Sequence, residues 1–173
     1  MPRSYKSTEV YLKGDPRYNN KLASKIINKI MLDGKKTTAQ TLFYDAVDIV
    51  CSKVEGAEPV EVFTKAIENI KPRVEVRSKR VGGATYQVPR EVNKRRQQGL
   101  AIRWMVDAAR SKRGKPMAKC LAEELFDAYN NQGAAVTKKE NVHKMAEANS
   151  AYSHFAWKAL RLVVTWPGRH FAR

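Results

Sequence analysis

Cysteine is nearly absent: Cys51 and Cys120 are the only two in 173 residues. Two are too few for a disulfide framework. Both fall in apolar helical patterns, which marks them as reduced core residues of a cytosolic-type chain. Histidine is as scarce. His143, His154 and His170 stand at no metal-ligand spacing from cysteines or carboxylates, so no metal site is expected. No run approaches the ~20 apolar residues that a membrane span requires. The opening Met1-Pro2-Arg3-Ser4-Tyr5-Lys6 has no apolar stretch behind its charges, so no secretory signal is expected. No glycine-rich loop leads from a strand into a helix. Gly82-Gly83 lies inside a hairpin pattern, which excludes a P-loop or dinucleotide fingerprint on context. Glu55, Glu58, Glu61 and Glu68 sit on segments that read as solvated, so no general acid–base pair is supported. No catalytic residue and no cofactor is expected.

The largest deficit is in acidic residues. There are 17 Asp+Glu against 33 Lys+Arg, a net charge of +16 and a pI of about 10.0. Such an excess repels itself unless a polyanion neutralises it. The excess is also segregated. Residues 1–40 hold nine basic and three acidic side chains, and residues 71–119 hold fifteen and three. Residues 41–70 reverse the balance with two and six, and residues 120–137 hold no basic side chain and three acidic ones. Residues 138–173 return to seven basic and two acidic. Alternation of this kind points to defined faces, some turned to nucleic acid and others to solvent or protein.

The apolar share of 43% is enough for a core, and most of it follows a helical period. Residues 1–18 show no period and read as a basic arm carrying Arg3, Lys6, Lys13 and Arg17, ordered mainly by a partner. Asn20 is a plausible cap for a helix striped by Leu22, Ile26, Ile27 and Ile30. Thr37 or Thr38 is expected to cap a second helix, with Leu42, Phe43, Ala46, Val47 and Val50 inward. Pro59 opens a third, lined by Val60, Phe63, Ala66, Ile67 and Ile70. A fourth pattern begins near Val92, with Leu100, Ala101, Trp104, Met105 and Ala108 as its stripe and Lys94-Arg95-Arg96 in its first turns. Arg110, Lys112, Arg113 and Lys115 are assigned to the loop that follows. Pro116 opens a fifth helix with Leu121, Leu125 and Ala128 inward and Glu123, Glu124 and Asp127 outward. A sixth starts near Ala134, a last helical stretch covers about Ala151 to Val164, and residues 165–173 read as an irregular tail.

Between the third and fourth helices the period drops to two. Residues 73–89 alternate basic with small or apolar side chains around Gly82-Gly83, the pattern of a β-hairpin. A two-residue turn would pair Val76 with Pro89. A loop one residue longer would pair Val76 with Val88 and gather Val74, Val76, Tyr86 and Val88 on one face. The longer loop is the expectation. An isolated two-stranded ribbon is marginal in water, so a basic one among helices reads as a projecting arm that something else holds. The whole is expected to be one mainly α domain over residues 1–173, a bundle of about six or seven helices with one projecting β-hairpin arm. Basic residues outline the hairpin, the helix after it and the loop beyond, and arginine both binds phosphate in bidentate fashion and stacks on bases. A histone-like DNA-binding protein is the rival reading, but its arm would carry an apolar wedge, and this tip is Val81-Gly82-Gly83-Ala84.

Four motifs carry a resemblance: Arg80-Val81-Gly82-Gly83-Ala84-Thr85-Tyr86-Gln87-Val88-Pro89, Asp33-Gly34-Lys35-Lys36, Leu100-Ala101-Ile102-Arg103-Trp104, and Val142-His143-Lys144-Met145-Ala146-Glu147-Ala148-Asn149. Over about residues 2–160 the chain resembles the bacterial small-subunit ribosomal protein seven family. The resemblance implies a structural protein that binds the 3′ major domain of 16S rRNA and nucleates assembly of the 30S head. It implies a place at the subunit interface near the decoding centre, beside exit-site tRNA and the mRNA exit path, with small-subunit proteins nine and eleven as neighbours. It implies the ribosome of a bacterial cytoplasm or a plastid. On this resemblance Arg3, Lys6, Lys13, Lys35, Lys36, Arg73, Arg77, Lys79, Arg90, Lys94, Arg95, Arg96, Arg110, Arg113 and Lys115 are rRNA contacts. Arg80, Gly82, Gly83 and Ala84 at the hairpin tip, with Lys138, Lys139, His143 and Lys144, face exit-site tRNA.

Overall fold

A computed structural model describes residues 11–54, 56 and 58–155. Arg3, Lys6, Glu55, most of the last helical stretch and the 165–173 tail lie outside these residues. Six α-helices and one hairpin follow in chain order: α1 (Lys21–Ile30), α2 (Lys36–Cys51), α3 (Pro59–Ile70), β1 (Val74–Val81), β2 (Ala84–Glu91), α4 (Lys94–Ser111), α5 (Met117–Tyr129) and α6 (Ala134–Ala148). A 3-10 helix, Ser150–Phe155, closes the described chain. The mainly α architecture with a β-hairpin is as the periodicity predicts.

The helices form where apolar spacing and end signals coincide. Asn20 caps α1, its side chain accepting the Leu22 N–H at 2.7 Å. Pro59 occupies the first turn of α3, where its missing N–H costs no helical bond. The threonine cap expected for α2 is not used. The helix starts at Lys36, directly after the Asp33-Gly34 turn, and the Lys36 N–H is taken by the Gly34 carbonyl at 2.8 Å. The inward stripes meet in one continuous core. Ile26, Ile27, Phe43, Phe63, Ile67, Met105, Leu121 and Leu125 are all essentially inaccessible within it. Each such side chain contributes roughly 1.5–3 kcal/mol relative to exposure. α5 packs against α2, α3 and α4. Trp104 is a core residue at 8% exposure.

Two placements differ from the sequence pattern on charged residues. Arg110 belongs to the last turn of α4, and its Nη2 donates to the Ile30 carbonyl at 3.1 Å. A cation on the free carbonyls at the end of α1 is favourable for the helix dipole. Glu124 points inward rather than outward and is fully buried. Its Oε1 accepts the Ala135 N–H at 2.8 Å, and its Oε2 lies 3.2 Å from Lys112 Nζ. The unpaired N–H groups opening α6 and a neighbouring ammonium thus stabilise a carboxylate that burial alone would exclude.

The part of the basic arm that is described is held by the body, not left for a partner. Asp15, 2% exposed, accepts the Tyr44 hydroxyl and the N–H groups of Arg17 and Tyr18. Arg17 forms a bidentate pair with Asp48 at 2.8 and 3.0 Å.

The hairpin register is the two-residue one. Val76 pairs with Pro89, Arg77 with Val88 and Val81 with Ala84, leaving Gly82-Gly83 as the turn. Both glycines have positive φ, 57° and 90°. Two positive-φ residues make the turn whose twist matches the right-handed twist of the strands, and this outweighs the valine pairing that favoured a longer loop. Val74 and Val76 therefore share one face, while Tyr86 and Val88 share the other with Glu75, Arg77 and Lys79. α6 and the 3-10 helix hold the ribbon. The Tyr86 ring lies 5.2 Å from both Tyr152 and Phe155.

Candidate nucleic-acid interface

The hairpin joins the body where the charge is densest. β1 alternates, so Glu75 and Arg77 fall on the same face, turned toward the first turn of α4. There the Glu75 carboxylate, 8% exposed as a residue, is shared. Oε1 accepts Arg77 Nε and Oε2 accepts Arg96 Nε, each at 2.7 Å. Arg96 follows Lys94 and Arg95 in the opening turn of α4. That turn has no acidic residue and no side-chain cap from Asn93. Lys94, Arg95 and Arg96 thus stand at the positive end of a helix dipole, a place that favours an anionic ligand. Lys71, Lys94, Arg95, Gln97 and Gln98 line an open cleft of about 450 Å³ at this point. Arg73 and Arg90 are exposed on the base of the same hairpin.

The remaining candidate rRNA residues divide by what already occupies them. Lys13 and Lys36 come together on a second, smaller cleft of about 180 Å³ with Asn28 and Gln40, and Lys35 is exposed beside it. In the α4–α5 loop, Arg113 is exposed and free of ion pairs among the described residues, whereas Lys112 and Lys115 are engaged with the acidic side of α5. The Lys115–Glu123 hydrogen bond raises the lysine pKa and lowers that of the carboxylate. Lys79 Nζ donates to the Phe155 carbonyl at 2.8 Å.

At the far end of the ribbon Arg80, Gly82, Gly83 and Ala84 are exposed. The α6 group is split by the helix. Lys138 and Lys144 are exposed, with Lys138 Nζ 5.9 Å from the Trp104 ring. Lys139 turns inward, donating to the Asn69 carbonyl at 2.7 Å. His143 Nε2 accepts the Arg73 backbone N–H at 3.1 Å. Burial first, then Lys139 and Arg73, lower the His143 pKa, so the imidazole is neutral and acts as an acceptor. The acidic residues Glu61 and Glu68 on α3, and Glu58 just before it, are exposed.

The sequence pattern missed Glu75, Glu124 and Lys71. A lone carboxylate in a strand of alternating cations was the available signal for Glu75.

No group of three or more potential metal ligands occurs among the described residues. Residues 2–150 match the family described as ribosomal protein S7p/S5e. A small ribosomal subunit protein uS7 from Rhodopirellula baltica is 60% identical over 152 residues, covering 87% of this chain and 97% of the relative. The protein of the same name from Fervidobacterium nodosum is 60% identical over 143 residues, with 83% and 92% covered. That from Mesoplasma florum is 56% identical over 143 residues with the same coverage. The helical body, the basic hairpin and similarity over most of both lengths agree, and the chain belongs to the ribosomal protein S7p/S5e family, a family of ribosomal structural proteins and not of enzymes.

Proposed function

We propose that this small-subunit ribosomal protein binds the 3′ major domain of 16S rRNA directly, as one domain, and nucleates assembly of the 30S head. The observation that carries the reading is the convergence of hairpin base and α4 first turn. Arg73, Arg77 and Arg90 there adjoin Lys94, Arg95 and Arg96 beside an open cleft. Such a surface suits a folded polyanion. Lys13, Lys35, Lys36 and Arg113 extend it along the body, and Arg3 and Lys6 belong to the same set. The exposed tip, Arg80 to Ala84, with Lys138 and Lys144, is read as the part nearest exit-site tRNA and the mRNA exit path. Small-subunit proteins nine and eleven are the protein neighbours in this reading.

The test is filter binding of the full chain to a 3′ major domain fragment over a range of salt. With about six to ten phosphates contacted, log K falls with log[salt] at a slope of roughly −5 to −9. A flat response, or equal affinity for random duplex DNA, overturns the reading.

A further inference from the structure

We propose that Glu75 is a positioning residue that sets Arg77 and Arg96 as a pair of guanidinium forks for the phosphodiester backbone of rRNA. The inference rests on the rRNA-binding reading and adds to it an acidic residue with a role in binding a polyanion.

The geometry is specific. Each arginine spends its Nε–H on one oxygen of the same carboxylate, at 2.7 Å, and makes no other polar contact among the described residues. A guanidinium has five N–H donors, so the two Nη groups of each arginine remain for a ligand. Both side chains are 49% exposed, while the Glu75 side chain is only 11% exposed. A carboxylate so buried is held in place by its cations, because losing either would leave a costly desolvated charge. The anchor also spans the fold. Glu75 and Arg77 belong to β1, and Arg96 belongs to α4, so one carboxylate fixes the spacing of cations on two elements. Fixing rotamer-rich side chains before binding removes an ordering cost that free surface arginines would meet on contact with RNA. The planar Nη edge matches a phosphate, whereas base reading would require one particular base edge.

Simple electrostatics and positioning predict opposite signs for one substitution. Glu75→Gln removes a negative charge from a phosphate-binding surface, so charge alone would raise affinity. Positioning predicts that affinity for the 3′ major domain fragment falls, by about tenfold, as the forks lose their charged anchor. Arg77→Lys and Arg96→Lys keep the charge but lose the fork, and each should weaken binding with the salt slope unchanged. Phosphate-ethylation interference supplies a readout that a general loss of stability would not mimic: the three variants should lose sensitivity at the same few phosphates. If Glu75→Gln proves unfolded by circular dichroism, the two lysine variants decide. Glu75→Gln binding as tightly as the unsubstituted chain, or more tightly, overturns the inference; so do lysine variants with unaltered affinity and interference. In either case a steep salt slope for the unsubstituted chain leaves the rRNA reading standing. Absence of rRNA binding by the unsubstituted chain removes both.

Discussion

The imidazole of His143 on α6 accepts the backbone N–H of Arg73, 70 positions earlier, at 3.1 Å. Arg73 is the last residue before β1, so this bond ties the root of the hairpin to α6. Lys139, one turn earlier on the same helix, donates to the Asn69 carbonyl near the end of α3. Two side chains that look like part of a basic outer face are thus spent on fixing where the ribbon leaves the body.

This bond makes the anchoring of the hairpin sensitive to acid. The His143 pKa lies below its ordinary 6.5 in the fold. The unfolded chain therefore binds more protons than the fold in the interval between the two values. Stability from this group is complete above pH about 6.5 and is lost as pH falls from there toward the folded value. Protonation also removes the Nε2 acceptor. His143→Gln retains an acceptor without the titration. The difference in thermal midpoint between pH 7.5 and pH 5 should be smaller in the variant than in the unsubstituted chain. An equal drop in both would show that His143 does not carry the effect.

Glu124 should be among the least replaceable side chains. Glu124→Ala leaves the Ala135 N–H without its acceptor, takes from Lys112 the nearest of its three carboxylates (Glu123 and Asp127 remain at 3.7 and 3.8 Å), and opens a cavity. The loss should be about 3 kcal/mol or more in denaturant unfolding. Gly133 enforces the same junction from the other side. Its φ is +94°, and an added Cβ would lie 2.9 Å from Asp127 Cβ and 3.1 Å from Glu124 Oε1. Gly133→Ala should therefore destabilise by more than about 1 kcal/mol. A neutral outcome for both substitutions would contradict the capping role.

Tyr44 offers an alkaline counterpart. Burial, and then its hydrogen bond to Asp15, push the phenol up to about 12 from 10.0. Above pH 10 the unfolded chain loses this proton first, so stability declines between pH 10 and about 12. Tyr44→Phe removes that decline. It also leaves the buried Asp15 carboxylate, among the described residues, with only the Arg17 and Tyr18 N–H groups, at 3.2 and 3.4 Å, and should cost about 1–2 kcal/mol at neutral pH. Parallel denaturant titrations at pH 8 and pH 11 check both halves.

Helices and hairpin were legible in the sequence because they are local. Ile26, Ile27 and Ile30 repeat at helical spacing, and Gly82-Gly83 interrupts an alternating run. The register was not legible, since valine pairing and turn geometry favour different loops and only the strand twist decides between them. Charge was the harder part. The pattern gives a residue's sign but not its partner, and the partners of Lys139, His143 and Arg96 lie on other elements. Glu124 sits beside Glu123 in the chain and reads as solvated. Its burial follows from where α6 begins, which nothing local to α5 encodes.

The hairpin tip and base should separate by function, and the register defines a clean way to part them. Removing Arg80, Val81, Ala84 and Thr85 deletes the last two cross-strand pairs and keeps Gly82-Gly83 as the turn. Lys79 and Tyr86 become the terminal pair, and their contacts with the 3-10 helix survive: the Tyr86 ring against Tyr152 and Phe155, and Lys79 Nζ on the Phe155 carbonyl. The Glu75–Arg77–Arg96 cluster lies nearer the body and is untouched. The shortened arm should bind the rRNA fragment as the full arm does and support 30S assembly, while exit-site tRNA is retained less well on reconstituted subunits. Replacing Arg73 and Arg77 with alanine should do the reverse. Each phosphate that is no longer neutralised by an arginine reduces the steepness of the salt response by about 0.9, so the pair should flatten it by roughly 2 and impair assembly. Filter binding and tRNA occupancy, measured on both variants, separate the two roles. Loss of rRNA binding on shortening the tip, with none on removing the two arginines, would reverse the assignment of tip and base.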